Sequence, residues 1–159
     1  DSTTNTNIDK MNFSFNETFM CMALVIAKRS KDIITKVGVI IVDKNNNILG
    51  TGYNGMPKNI IETNDMWSKT NKHDYVIHGE VNALLNYNGN KFINDKSNPL
   101  TLYTTLFPCI DCAKKISNTS INKVIYLNIK INKEEENSKV KKIFNLCKIE
   151  LIEYESLPE

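Results

Sequence analysis

The segment Pro108-Cys109-Ile110-Asp111-Cys112 constrains this chain most, and it gains its meaning from His78-Gly79-Glu80 well upstream. Cys109 and Cys112 are three positions apart, so at the start of a helix both sulfurs can meet one ion. The partial positive charge of a helix N-terminus favours thiolates over thiols there. His78 also opens a helical stretch and supplies a third ligand. The chain must therefore fold so that two helix starts converge on one point. Three protein ligands and one open position are the pattern of catalytic zinc, whereas structural zinc usually takes four.

Glu80 indicates the chemistry. Two residues past His78 on a helix, it projects differently from the imidazole and can reach the open position without being a ligand. Zinc makes hydroxide available near neutral pH. A carboxylate beside the water can take its proton, pass it to a ring nitrogen and then to a leaving amine. Those roles describe hydrolytic deamination. A C-x-x-C alone fits a structural zinc, a redox pair or chance, and a lone His-x-Glu is commonplace. A redox pair, however, has no use for His78, Glu80 or Pro108.

A chain of 159 residues with 41% hydrophobic and 24% charged content suits one soluble domain. The net charge of +2 and the single arginine, Arg29, weigh against a protein that tracks a phosphate backbone. No apolar run approaches the roughly 20 residues that span a bilayer, and the polar start lacks the apolar centre of a secretory signal. Cys21 and Cys147 sit in apolar helical runs and read as packed thiols, not disulfide partners. A reducing, cytoplasmic setting follows from these features.

Residues 1–12 carry no apolar period and are expected to be a flexible tail, leaving 13–159 as the folded domain. Ser14-Phe15-Asn16-Glu17 matches a capping box ahead of an amphipathic helix over 19–28. Strands are expected at 37–42 and 48–53, joined as an antiparallel hairpin through Asp43 to Asn47. The stretch 58–77 reads as a long polar loop around Trp67. Beyond it, helices at 78–87, 109–118 and 140–147 alternate with strands at 100–104, 123–127 and 149–154. Val81, Leu84 and Leu85 form the expected inner face of the first of these helices. Residues 128–138 read as a loop or insertion. The alternation points to an α/β fold with helices covering a mixed sheet.

With these residues in hand, the chain resembles the deoxycytidylate deaminases of the cytidine deaminase superfamily. H-x-E followed by P-C-x-x-C marks zinc deaminases in general. The branch is indicated by Ala27-Lys28-Arg29-Ser30-Lys31-Asp32, Thr35-Lys36-Val37-Gly38, Gly52-Tyr53-Asn54-Gly55-Met56-Pro57 and Leu106-Phe107-Pro108-Cys109. The resemblance covers about Phe15 to Tyr154. It implies a three-layer α/β/α fold with a mixed five-stranded sheet. It also implies one catalytic Zn2+ per subunit, conversion of dCMP to dUMP and ammonia for dTMP synthesis, and a homo-oligomer, commonly a hexamer. Regulation by dCTP and dTTP, usually with Mg2+, goes with many members. Asn54 matches a position that contacts the base, while Tyr53 and Gly55 match a loop that shapes substrate or effector sites.

The pattern departs from the family at Gly79, where Ala is usual, and at Asn118-Thr119-Ser120, where a Gly is expected after the cysteine helix. Phosphate-binding residues are not identified; Lys28, Arg29, Lys36 and the lysines of 58–77 are candidates. Two other functions compete. One is a deaminase of tRNA or single strands, which low charge and few aromatics disfavour. The other is a non-catalytic nucleotide sensor stabilised by zinc, which would have no need of Glu80.

Overall fold

The computed structural model describes residues 11–89 and 97–155. Residues 1–10, most of the expected tail, lie outside the described residues. Strand β1 (Gly38–Val42) lies between β2 (Ile48–Tyr53) and β3 (Leu100–Leu106), antiparallel to both. β4 (Ile121–Asn128) and β5 (Glu150–Glu153) continue the sheet parallel to β3, giving the order β2-β1-β3-β4-β5. The sheet is the expected mixed, five-stranded one.

Side chains alternate across a strand with period 2, and this period sorts β1 into two cores. Val39 and Ile41 join Leu102, Val124, Ala83, Ile116 and Phe144 on one face. Ile40 and Val42 join Tyr103, Ile125, Phe19, Met20 and Ala23 on the other. Helix α1 (Phe15–Ala27) covers the second face, and α2 (Gly79–Asn86), α3 (Ile110–Ser117) and α4 (Glu134–Leu146) cover the first. Layers α/β/α result. Among the described residues, no helix is long and apolar enough to cross a membrane.

Two glycines bring helices directly onto the sheet. A Cβ on Gly38 would lie 1.8 Å from the carbonyl oxygen of Ala23 in α1. One on Gly52 would lie 2.3 Å from the Ala83 nitrogen and 2.4 Å from the Gly79 oxygen in α2. Only hydrogen fits in either gap.

The capping box forms as read: Ser14 Oγ accepts from Glu17 N–H, and Glu17 accepts from Ser14 N–H. Other readings change. The stretch 128–138 is not a loop throughout: a short 3-10 turn at Ile131–Lys133 leads into α4, which begins at Glu134. Three glutamates in its first turn favour a start there, against the positive end of the helix. The inner face of α2 is Glu80, Ala83 and Leu84, while Leu85 is exposed and Val81 half-buried. Cys147 is exposed and Cys21 half-buried, so Cys147 is not a packed core thiol. It caps the end of α4.

Candidate metal centre and active site

Helix α2 starts immediately after His78, whose position is fixed from behind. Gly55 and Ile77 form a two-hydrogen-bond bridge, with Gly55 N–H donating to Ile77 O at 3.0 Å and Ile77 N–H to Gly55 O at 2.8 Å. Gly55 thus sets the chain entering the histidine. Helix α3 starts after Cys109, whose Sγ accepts from the Cys112 N–H at 3.5 Å.

The two starts converge. His78 Nδ1 lies 3.5 Å from Cys109 Sγ and 3.4 Å from Cys112 Sγ, and all three atoms fall within 4.8 Å of one another. Bonds of about 2.3 Å to sulfur and about 2.0 Å to nitrogen, at a tetrahedral angle, place S and N about 3.5 Å apart. The donor set therefore fits a zinc ion. A hydrogen bond from Cys112, and the imidazole beside it, hold the Cys109 thiol down at about 4. Its neighbour Cys112 is pushed strongly up by sharing that bond, with burial adding to the effect. The two sulfurs are thus unequal, and the surroundings favour the thiolate at Cys109 over Cys112. The same Cys109 contact raises the affinity of His78 for a proton.

Glu80 lies buried on the first turn of α2, its Oε2 accepting from Cys112 Sγ at 3.4 Å. Burial pushes its carboxyl above the ordinary range, so it holds a proton more readily than an exposed glutamate. Gly79 beside it has little room to be anything larger. A Cβ would meet the Val37 oxygen at 3.2 Å and side chains of Val37 and Val39 at 3.3 Å. The missing glycine after α3 is also explained: Thr119 Oγ1 donates to Ile116 O at 2.6 Å and accepts from Ile121 N–H at 3.2 Å, closing the helix without a left-handed residue.

His78, Glu80 and Cys109 open into a cavity of about 400 Å³, within the range of small-molecule sites. Asn54 lies in its wall, buried. Its Oδ1 accepts from Val37 N–H at 2.8 Å and its Nδ2 donates to Thr35 O at 2.9 Å. One lone pair and one N–H of the amide remain for a ligand. The neighbours of Asn54 do not line the cavity. Tyr53 instead carries the Arg29 guanidinium over its ring at 5.9 Å, and Gly55 makes the bridge to Ile77.

Among the lysines singled out from the sequence, only Lys72 lines the cavity. It is buried and pairs with Asp32 at 2.9 Å. Asp32 Oδ1 also accepts from the Ile34 and Thr35 N–H groups, which shapes the loop that holds Asn54. Trp67 donates to Glu62 at 3.1 Å, outside the cavity. Lys130, Lys133, Glu136 and Asn137 line the cavity and were not anticipated. The run Glu134-Glu135-Glu136 was the available signal, since acidic residues gather at helix starts.

A family model for the cytidine and deoxycytidylate deaminase zinc-binding region matches residues 13–128. The chain belongs to this family. Within it, the deoxycytidylate deaminase of Homo sapiens is 36% identical over 137 residues, 82% of this chain and 74% of that protein. A probable deoxycytidylate deaminase of Drosophila melanogaster is 42% identical over 127 residues, 73% of this chain but 60% of its own length. The crystal structure of dCMP deaminase from cyanophage S-TIM5 matches with a TM-score of 0.68 and 27% identity, covering 91% of this chain and 100% of that one. The structure of that enzyme with dCMP and dUMP matches at the same TM-score, with 26% identity, covering 91% of this chain and 99% of that one. The expected three-layer fold is the fold of this family.

Proposed function

We propose that this member of the family is a zinc-dependent dCMP deaminase, converting dCMP and water to dUMP and ammonia. The observation that carries the reading is Glu80: a buried carboxylate beside the His78–Cys109–Cys112 cluster that is not part of it. The kinship with deoxycytidylate deaminases, and a structural neighbour solved with dCMP and dUMP, support the substrate.

His78, Cys109 and Cys112 would hold the zinc. When bound there, zinc supplies a Lewis acid that makes hydroxide available near neutral pH. Glu80 takes the proton from the attacking water, delivers it to the ring nitrogen next to the amino-bearing carbon, and then serves the departing amine. Its raised proton affinity suits a group that carries a proton between these sites. Asn54 uses the free half of its amide to orient the nucleotide, and the loop 32–37 keeps that amide in place.

The product dUMP feeds dTMP synthesis, in the cytoplasm, by a homo-oligomer, as the resemblance implies. Control by dCTP and dTTP with Mg2+ belongs to the same reading, with Tyr53 and Gly55 in the loop that would answer an effector.

The test is steady-state ammonia release on dCMP, CMP, dCTP and deoxycytidine, each with and without dCTP and dTTP, on protein of measured zinc content. A strong preference for dCMP is expected. Equal turnover of deoxycytidine and dCMP would sink the nucleotide assignment.

A further inference from the structure

One side of the cavity is closed by the connection from β4 to α4, which contributes Lys130, Lys133, Glu136 and Asn137. This connection is a built strap. Asn137 Nδ2 donates to the Lys130 carbonyl at 3.0 Å, folding the start of α4 back over the end of β4. Ile110 N–H, the first free amide of α3, donates to Glu136 Oε1 at 3.2 Å. Since Ile110 directly follows Cys109, one hydrogen bond sets the strap relative to the metal cluster.

The charges along the cavity are unequally committed. Lys72 is buried against Asp32 at 2.9 Å, and Asp111 pairs with Lys114 at 3.3 Å. Lys133 approaches Glu136 only to 3.7 Å, too far for a hydrogen bond, so its donors stay open. Lys130 has no carboxylate partner among the described residues. Both ammonium groups are point charges on flexible stems, suited to a phosphate that must be reached, not stacked on.

We propose that Lys130, with Lys133 beside it, receives the phosphate of the nucleotide substrate. The strap is then the element that separates a nucleotide from its nucleoside. This rests on the reading above that the substrate is a nucleotide, and it names the group in this chain that enforces it. Phosphate replaces Glu136 as the partner of Lys133, while the other oxygen of Glu136 stays on Ile110. The strap therefore fixes the distance between the phosphate and the metal cluster, which is how it measures its ligand.

The test uses the zinc-loaded full chain and the variants Lys130→Gln, Lys130→Arg and Lys130→Gln/Lys133→Gln. On dCMP, kcat/KM is expected to fall about tenfold for the single glutamine variant and about a hundredfold for the double, from the loss of charge-assisted hydrogen bonds. On deoxycytidine it should move less than about threefold, since no such bond is lost. Lys130→Arg should recover most of the dCMP rate. Calorimetric binding of dUMP should weaken in parallel, and zinc content should stay unchanged. A parallel fall on both substrates, or an unchanged preference for dCMP in the double variant, overturns the assignment. Wild-type protein indifferent to the phosphate would overturn the nucleotide reading itself, a separate and visible failure.

Discussion

The Glu80 carboxylate lies 3.4 Å from Cys112 Sγ, touching the metal cluster without joining it. Glu80→Gln should therefore leave the ligand set intact, because glutamine keeps the shape and loses only the titratable proton. Metal analysis should still find one zinc per chain, while kcat on dCMP falls about 10²- to 10⁴-fold. Near-normal turnover with full zinc would remove Glu80 from the mechanism.

Metal removal should expose the asymmetry between the two cysteines. Cys109 is half-exposed and its thiol is held down to about 4, whereas Cys112 is buried and pushed up. In chelator-stripped protein at about pH 6, Cys109 should be largely thiolate and be alkylated by iodoacetamide ahead of Cys112. Restoring zinc should protect it. Peptide mass spectrometry reads both sites, and equal labelling of the two would contradict the asymmetry between the cysteines.

The buried pair of Asp32 and Lys72 should tie stability to pH. Burial alone pushes the Asp32 carboxyl up, but the Lys72 ammonium and the Ile34 and Thr35 N–H groups bring it below its ordinary value. A carboxyl depressed in the folded state contributes stability above its unfolded pKa, and that contribution is lost as pH falls through the folded value. Urea unfolding of wild type should weaken below about pH 4, near the ordinary aspartate range. Lys72→Met, which strands Asp32, should cost about 3 kcal/mol at pH 7 and flatten that acid limb. An unchanged acid limb in the variant would show the pair contributes little.

Much of this site was readable because its determinants are local. His-x-Glu and Pro-Cys-x-x-Cys each occupy a single helix start, and spacing alone brings their donors to one side. Ser14 and Glu17 likewise declare a helix start by their own hydrogen bonds. The strap was misread because Lys130 and Glu136 matter only through contacts with Asn137 and Ile110, which no periodicity encodes. Lys72 and Asp32 are 40 residues apart and look like ordinary surface charges until the fold buries them together. Leu85 shows the converse error. It fits an apolar pattern but falls one residue off the stripe that α2 turns toward the sheet.

Gly52 links sheet packing to the site. The Cβ of Gly52→Ala would land 2.3 Å and 2.4 Å from backbone atoms of α2, which cannot swing aside as a side chain could. Helix α2 must then shift as a unit, carrying His78 and Glu80 away from Cys109 and Cys112. We expect a loss of about 2–3 kcal/mol in chemical denaturation, together with weaker zinc retention against a chelator. A stable variant with normal zinc affinity would show that α2 and the metal cluster are not coupled through this contact.

The end of α4 offers a change in the opposite direction. Lys148 adopts φ 57° just past the helix, while Ile149 N–H reaches back to Phe144 O at 2.8 Å and Lys148 N–H to Asn145 O at 3.2 Å. These bonds satisfy the last carbonyls and require a left-handed residue, a conformation that costs a side-chain-bearing residue about 1–2 kcal/mol. Glycine removes that strain but loses more freedom on folding. Lys148→Gly should therefore gain about 0.5–1 kcal/mol, a rise of about 1–3 °C in Tm for a domain of this size. Lys148→Ala retains the strain and serves as the control. Calorimetry should rank glycine above both lysine and alanine, and equal Tm values for the glycine and alanine variants would mean that the left-handed turn is not strained.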